Sequence, residues 1–137
     1  MNNQFIWPVR VYYEDADAGG VVYHSNYLNF MERARTEWLR SLGFEQTELK
    51  TEMGVIFVVR ALKLEYKKPA YFNDVLGVIT RIAKTGRSLL EFEQTIIRGD
   101  ELLTEATVAL VCVDAGQFKP TPIPAEIRNA MQIMEPE

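Results

Sequence analysis

Cysteine and histidine occur once each in the 137 residues, as Cys112 and His24. One cysteine cannot close an intrachain disulfide, and one of each cannot supply the nitrogen and sulfur ligands of a structural zinc. No metal is expected, and the sequence gives no motif that calls for a cofactor. Positive charge is not in excess: 15 Lys and Arg against 19 Asp and Glu leave a net charge of -4. No long-range field attracts phosphate backbones, which argues against nucleic acid as a partner. Met1 to Arg10 lacks a charged region followed by an apolar one, and the longest apolar runs are too short to span a bilayer. No membrane span and a reducing, cytoplasmic location are the expectation. What is present is ordinary globular material, 47% hydrophobic and 25% charged. A chain of this size buries roughly 70% of its unfolded surface, so a single domain over 1–137 is expected, with a short tail or helix from about residue 120.

Phe5 to Tyr13 is rich in β-branched and aromatic residues and loosely alternating, which predicts a first strand. Glu14 to Val22 breaks that pattern with two aspartates and Gly19-Gly20, predicting a loop. From Ser25 or Asn26, either of which can cap a helix, Tyr27, Phe30, Met31, Ala34, Trp38 and Leu42 recur at spacings of three and four. That is a long helix with a wide apolar stripe, ending at Gly43. Glu32 with Arg35 and Arg33 with Glu37 can pair on its polar side. A short helix is expected over Glu45 to Met53. Period two then takes over, predicting strands at Val55–Tyr66, Asp74–Lys84, Ser88–Arg98 and Leu102–Asp114, read as an antiparallel meander. Pro120, Pro122 and Pro124 predict an end to pairing before a terminal helix, Ala125–Met134.

This is an α+β pattern: an antiparallel sheet with one long helix. A helix of about eighteen residues spans about 27 Å, comparable with strands of about eight to ten residues at about 3.4 Å each. The helix can lie along one face of a curved sheet. It cannot cover both faces, so the other face or an edge calls for a second subunit.

Chemistry concentrates between the first strand and the long helix, in Glu14-Asp15-Ala16-Asp17-Ala18-Gly19-Gly20-Val21-Val22-Tyr23-His24. Free backbone N–H groups and the positive end of the helix dipole converge there, which suits an anion or an acyl oxygen acquiring charge. Gly19 and Gly20 let a substrate approach the main chain. Read from position alone, Asp15 and Asp17 cap turns and complement the helix dipole, and His24 is structural. No Gly-x-Ser-x-Gly elbow supports a serine triad. Cys112, within Leu110-Val111-Cys112-Val113, reads as core, and Arg98-Gly99-Asp100 as a hairpin turn.

The chain resembles the 4-hydroxybenzoyl-CoA thioesterase family of hotdog-fold proteins, most closely its Tol-Pal-associated acyl-CoA thioesterase branch. The resemblance lies in Trp7–Asp15, the Asp17–His24 loop, Glu32–Glu37, Phe57–Arg60 and Val111–Asp114, and runs from about Phe5 to about Pro124. It implies a hotdog, about five antiparallel strands wrapped around one central helix, and a homo-oligomer, a dimer or a homotetramer built as a dimer of dimers. It implies hydrolysis of acyl-CoA to free acid and CoA, within lipid metabolism; acyl carrier protein is a further candidate partner. By the same resemblance Asp17 is the catalytic carboxylate, as nucleophile or general base. The backbone N–H groups near Tyr23 and His24 form the oxyanion hole, with Gly19 and Gly20 lining it. Phe57, Val58 and Val59 of the neighbouring subunit close the pocket, and Lys84, Arg87 and Ser88 meet CoA. Two alternatives stand beside this reading: a hotdog dehydratase or hydratase, which needs a histidine paired with an acid, and a non-catalytic acyl or acyl-carrier binding module.

Overall fold

A computed structural model describes residues 4–17 and 19–131. Its single sheet has five strands: β1 (Gln4–Arg10), β2 (Val55–Tyr66), β3 (Val75–Thr85), β4 (Leu89–Arg98) and β5 (Glu101–Asp114). All pairs are antiparallel, in the order β1-β3-β4-β5-β2. The helices are α1 (Asn26–Ser41), α2 (Gln46–Glu48), which continues as a π-turn over Leu49–Met53, and α3 (Ala125–Met131).

The apolar spacing of α1 becomes its packing. Tyr27, Phe30, Met31, Ala34, Trp38 and Leu39 are buried against the sheet. Leu42, expected on this stripe, is only partly buried, because the helix ends at Ser41 and Leu42 is its C-cap. Gly43 and Gly54 both take left-handed backbone, with φ of 96° and 68°, and close the two helical segments as their positions suggested. Alternation in the strands sets the other half of the core: Leu90, Phe92, Gln94 and Ile96 of β4, with Ala106, Val108, Leu110 and Cys112 of β5, face the helix.

Three sequence expectations need correction. Tyr13 is not in the first strand; β1 ends at Arg10, and Tyr13–Asp15 form a 3-10 turn. The last four strands are not a simple meander, since β2 pairs with β5 at one edge while β3 lies on the far side of β4. Period-two alternation reveals a strand but not its neighbour, and Lys67–Asp74, with Pro69, carries the chain across instead of turning a hairpin. The prolines also do not end pairing at once. Thr121 N–H donates to Cys112 O at 2.9 Å and Ile123 N–H to Arg87 O at 2.9 Å. Proline at every second position removes the donors on only one side of an extended segment. Of the expected terminal helix, the part beyond Met131 lies outside the described residues.

The middle of the sheet face away from α1 is polar, with Ile6, Ile79 and Ile97 beside it toward β1. Arg81 pairs with Glu93, and Lys67 reaches Glu65 and Glu105, around a shallow depression also lined by Lys63, Thr95 and Thr107. The β2 edge differs. Its outer side has no strand partner among the described residues and exposes Val59, Leu62 and Tyr66. No helix among the described residues is long and apolar enough to cross a membrane.

Cys112 is fully buried, and burial pushes its thiol up from 9.0 to about 11. The folded state therefore keeps its proton where the unfolded chain has lost it, so stability falls as pH rises through that interval. Denaturation of wild type and Cys112→Ala between pH 8 and 11 is expected to show a steeper loss for wild type. Parallel curves would contradict the buried neutral thiol.

Candidate functional site

The loop before α1 is built from backbone and carboxylate hydrogen bonds. Asp15 Oδ2 accepts the Tyr12 N–H at 2.8 Å, and Asn26 Nδ2 donates to Asp15 O at 3.2 Å and to Asp15 Oδ1 at 3.4 Å. Asp15 thus turns the chain and ties it to the helix start. Ser25 occupies the N-cap but makes no side-chain cap bond; Asn26 makes the side-chain link instead.

Asp17 is differently placed. Its N–H donates to Val21 O at 2.9 Å and its O accepts Gly20 N–H at 3.0 Å, closing a tight turn. Its side chain is exposed, with Oδ1 accepting the Gly19 N–H at 2.8 Å. Gly20 has φ of 81°, which favours glycine, and a Cβ on Gly19 would lie 3.3 Å from Asp17 Oδ1. Both glycines therefore serve the turn that presents this carboxylate.

A second irregular segment backs the first. Val22 N–H donates to Ala70 O at 2.9 Å, Phe72 N–H to Gly20 O at 3.2 Å, and Val21 bridges to Tyr71. The Tyr27 hydroxyl accepts the Ala70 N–H at 3.0 Å. Arg98 locks this crossover: its guanidinium donates to Asp74 at 2.6 Å, to Pro69 O at 3.3 Å and to Glu101 at 2.8 Å, and lies 5.5 Å from the Tyr71 ring centroid. Glu101 and then Asp74 hold the Arg98 guanidinium above its ordinary pKa. Arg98 of the Arg-Gly-Asp turn is thus a structural clamp.

Of the two amides expected to meet an oxyanion, Tyr23 is unavailable, because its N–H donates to Asp15 O at 3.0 Å. The His24 N–H has no acceptor among the described residues. The Tyr66 hydroxyl donates to His24 O at 2.7 Å, fixing the peptide that follows. Tyr66, whose own pKa is raised first by burial, is a contact that sequence reading missed; the alternation placed it on a strand without saying which end of the molecule that strand reached. The rings of Tyr23 and His24 stand 4.4 Å apart, both exposed.

The remaining candidates lie elsewhere. Phe57 and Val59 line a cavity of about 210 Å³ between α1 and the sheet, with Arg35, Thr36, Leu90 and Leu110. Val58 does not line it and pairs with Val111. Lys84, Arg87 and Ser88 sit on the β3–β4 hairpin at the same end, where Leu89 pairs with Val111 and Phe57 with Cys112. Lys84 and Arg87 are exposed, and Ser88 O accepts the Cys112 N–H at 2.8 Å. From Phe57 to Tyr66 along β2 is about 30 Å at about 3.3 Å per residue. One chain therefore does not bring Asp17 and Phe57–Val59 together.

Arg35 is a further correction. It does not form the expected ion pair with Glu32; its guanidinium donates to Gln94 Oε1 at 2.7 Å. Gln94 is fully buried and donates to Met31 O at 3.0 Å and Thr80 Oγ1 at 2.9 Å. Desolvation lowers the Arg35 pKa, with nearby Glu32 opposing it. Glu37, expected to meet Arg33, pairs with Arg40.

Replacing Arg98 with Met should release the crossover and, with it, the Asp17 turn. Hydrogen exchange at the Val22 and Phe72 amides is expected to accelerate at least about tenfold while β4 and β5 core amides keep their protection. Unchanged exchange at both amides would show that the clamp is idle.

A family model described as "Thioesterase superfamily" matches residues 19–105, starting two residues after Asp17. The acyl-CoA thioesterase YbgC of Haemophilus influenzae is 47% identical over 130 residues, 95% of this chain and 96% of that protein. The acyl-CoA thioester hydrolase YbgC of Escherichia coli O6:H1 is 50% identical over 124 residues, 90% of this chain and 92% of that protein. In structure, a probable thioesterase from Bartonella henselae matches with a TM-score of 0.84 at 35% identity, over 88% of this chain and 99% of that one. The hotdog expected from sequence is therefore the fold observed, and the chain belongs to the thioesterase superfamily.

Proposed function

We propose that this chain hydrolyses acyl-CoA thioesters to free acid and CoA, with Asp17 as its reactive carboxylate and a second copy completing the site. Relatives named as acyl-CoA thioesterases at 47% and 50% identity support the reaction class. The observation that carries the assignment to Asp17 is its presentation: an exposed carboxylate braced by the Gly19 N–H, in the loop that leads to the uncommitted His24 amide. The His24 imidazole makes no hydrogen bond to a carboxylate among the described residues, which favours hydrolysis over the histidine–acid chemistry of a dehydratase.

The chemistry asks little of the protein. Water adds its oxygen to the thioester carbonyl, the C–S bond breaks, and the thiol leaves while the acyl group becomes a carboxylic acid. A thiol with a pKa near that of cysteine, about 8.5, departs without strong acid assistance. Asp17 serves either by taking the proton of the attacking water or by attacking the carbonyl itself to give an anhydride that water opens. The His24 N–H is the donor for the developing oxyanion.

A second copy solves the separation along β2. An unpaired edge of twelve residues, apolar at Val59 and Leu62, is a template for another strand. Antiparallel pairing of two β2 strands about their midpoints sets Phe57 of one chain opposite Leu64 of the other, close to the Tyr66 that holds His24. The Asp17 loop of one copy then meets Phe57, Val59 and the cavity of its neighbour. Lys84, Arg87 and Ser88 arrive at the same junction, where the two cations can bind CoA phosphates.

The test is release of thiol from acyl-CoA and acyl-carrier-protein thioesters over a range of chain lengths. Wild type should release thiol, and Asp17→Asn should lose at least about a hundredfold in kcat with assembly intact. A wild type that releases none, or a variant as active as wild type, would overturn the proposal.

A further inference from the structure

Asp17 and Arg35 are two of the charged side chains that form no ion pair within the described residues. Among the described residues the Asp17 carboxylate accepts only the Gly19 N–H, and the Arg35 guanidinium donates only to Gln94. For Arg35 the deficit is physical. The residue is half-buried on the wall of the cavity, where a guanidinium loses hydration and calls for compensating charge. Glu32, one helical turn earlier, is exposed on the rim of the same cavity and favours the charged guanidinium from a distance, but forms no ion pair with it.

The guanidinium is nevertheless held in place. Both amide hydrogens of Gln94 are committed, to Met31 O and Thr80 Oγ1, so its oxygen must face Arg35. That bond uses one of the five guanidinium donors and leaves the rest of a planar fork available at the cavity. A fully buried glutamine inside an apolar core is a costly way to hold a surface cation and a reasonable way to aim one.

We propose that Arg35 supplies the positive charge of the composite site, facing Asp17 of the partner subunit across the bound thioester. The inference rests on the reading given under Proposed function. Pairing of the β2 edges brings the cavity lined by Phe57 and Val59, with Arg35 on its wall, to the partner's Asp17 loop. The guanidinium opposes the negative charge that gathers on the acyl group as the carbonyl is attacked, and so acts on kcat more than on KM. Each dimer then holds two sites, each using Asp17 from one chain and Arg35 from the other.

Heterodimers purified through two different tags test this. With Asp17→Asn in one chain and Arg35→Gln in the other, one site keeps both residues, and about half of wild-type activity per dimer is expected. With both substitutions in one chain and none in the other, each site is missing one residue, and activity should stay below about a tenth. The Arg35→Gln homodimer should lose at least about tenfold in kcat with KM changed less than about threefold. If Arg35→Gln does not assemble, Arg35→Met, which removes the charge but keeps an unbranched side chain of similar reach, replaces it in both heterodimers with the same ranking. Equal activities of the two heterodimers, the reverse ranking, or a fully active Arg35→Gln homodimer would overturn the inference and leave the hydrolase reading standing. Absence of thiol release by wild type would overturn both.

Discussion

Two stretches of irregular chain hold each other, and the candidate site depends on that. The turn from Asp17 to Tyr23 and the crossover from Ala70 to Asp74 share backbone hydrogen bonds at Val22 and Phe72, each contributing on the order of 1 kcal/mol. Neither segment has a ladder of its own, so each satisfies the polar backbone of the other. Arg98 anchors the crossover from the β4–β5 hairpin, and Tyr27 anchors it from the helix. A carboxylate in a glycine-rich turn would otherwise sample many positions; here its backbone is fastened on both sides.

The same logic separates two aspartates that sequence position alone left equivalent. Asp15 spends both oxygens on Tyr12 and Asn26 and becomes part of the scaffold. Asp17 keeps its side chain in solvent with one backbone donor. The difference follows from two residues of chain: at Asp15 the 3-10 turn directs the carboxylate toward the helix start, and at Asp17 the turn to Gly20 directs it outward.

Much of the fold was legible because periodicity reports burial. The stripe on α1 and the alternation of β4 are direct statements of which side chains leave water. Strand neighbours were not legible: β2 and β3 follow one another in sequence yet sit on opposite sides of the sheet, and no local pattern encodes a crossover. Within the site, the resemblance singled out Asp17 and Phe57–Val59 on local motifs, but Tyr66 and Gln94 act across distances of 42 and 63 residues, to His24 and Met31, and such contacts leave no trace in spacing. Arg35 was misread for a related reason. A helical neighbour three residues away suggested a surface pair, whereas the glutamine that orients it belongs to another element.

The sheet face turned from the helix carries its own internal charge pairs and contributes no candidate residue to the chemistry. It is therefore the natural place for attachment. A fluorophore, an affinity handle or an immobilising tether fixed there, near Thr95 or Thr107, leaves the Asp17 turn, the apolar cavity and the unpaired strand untouched.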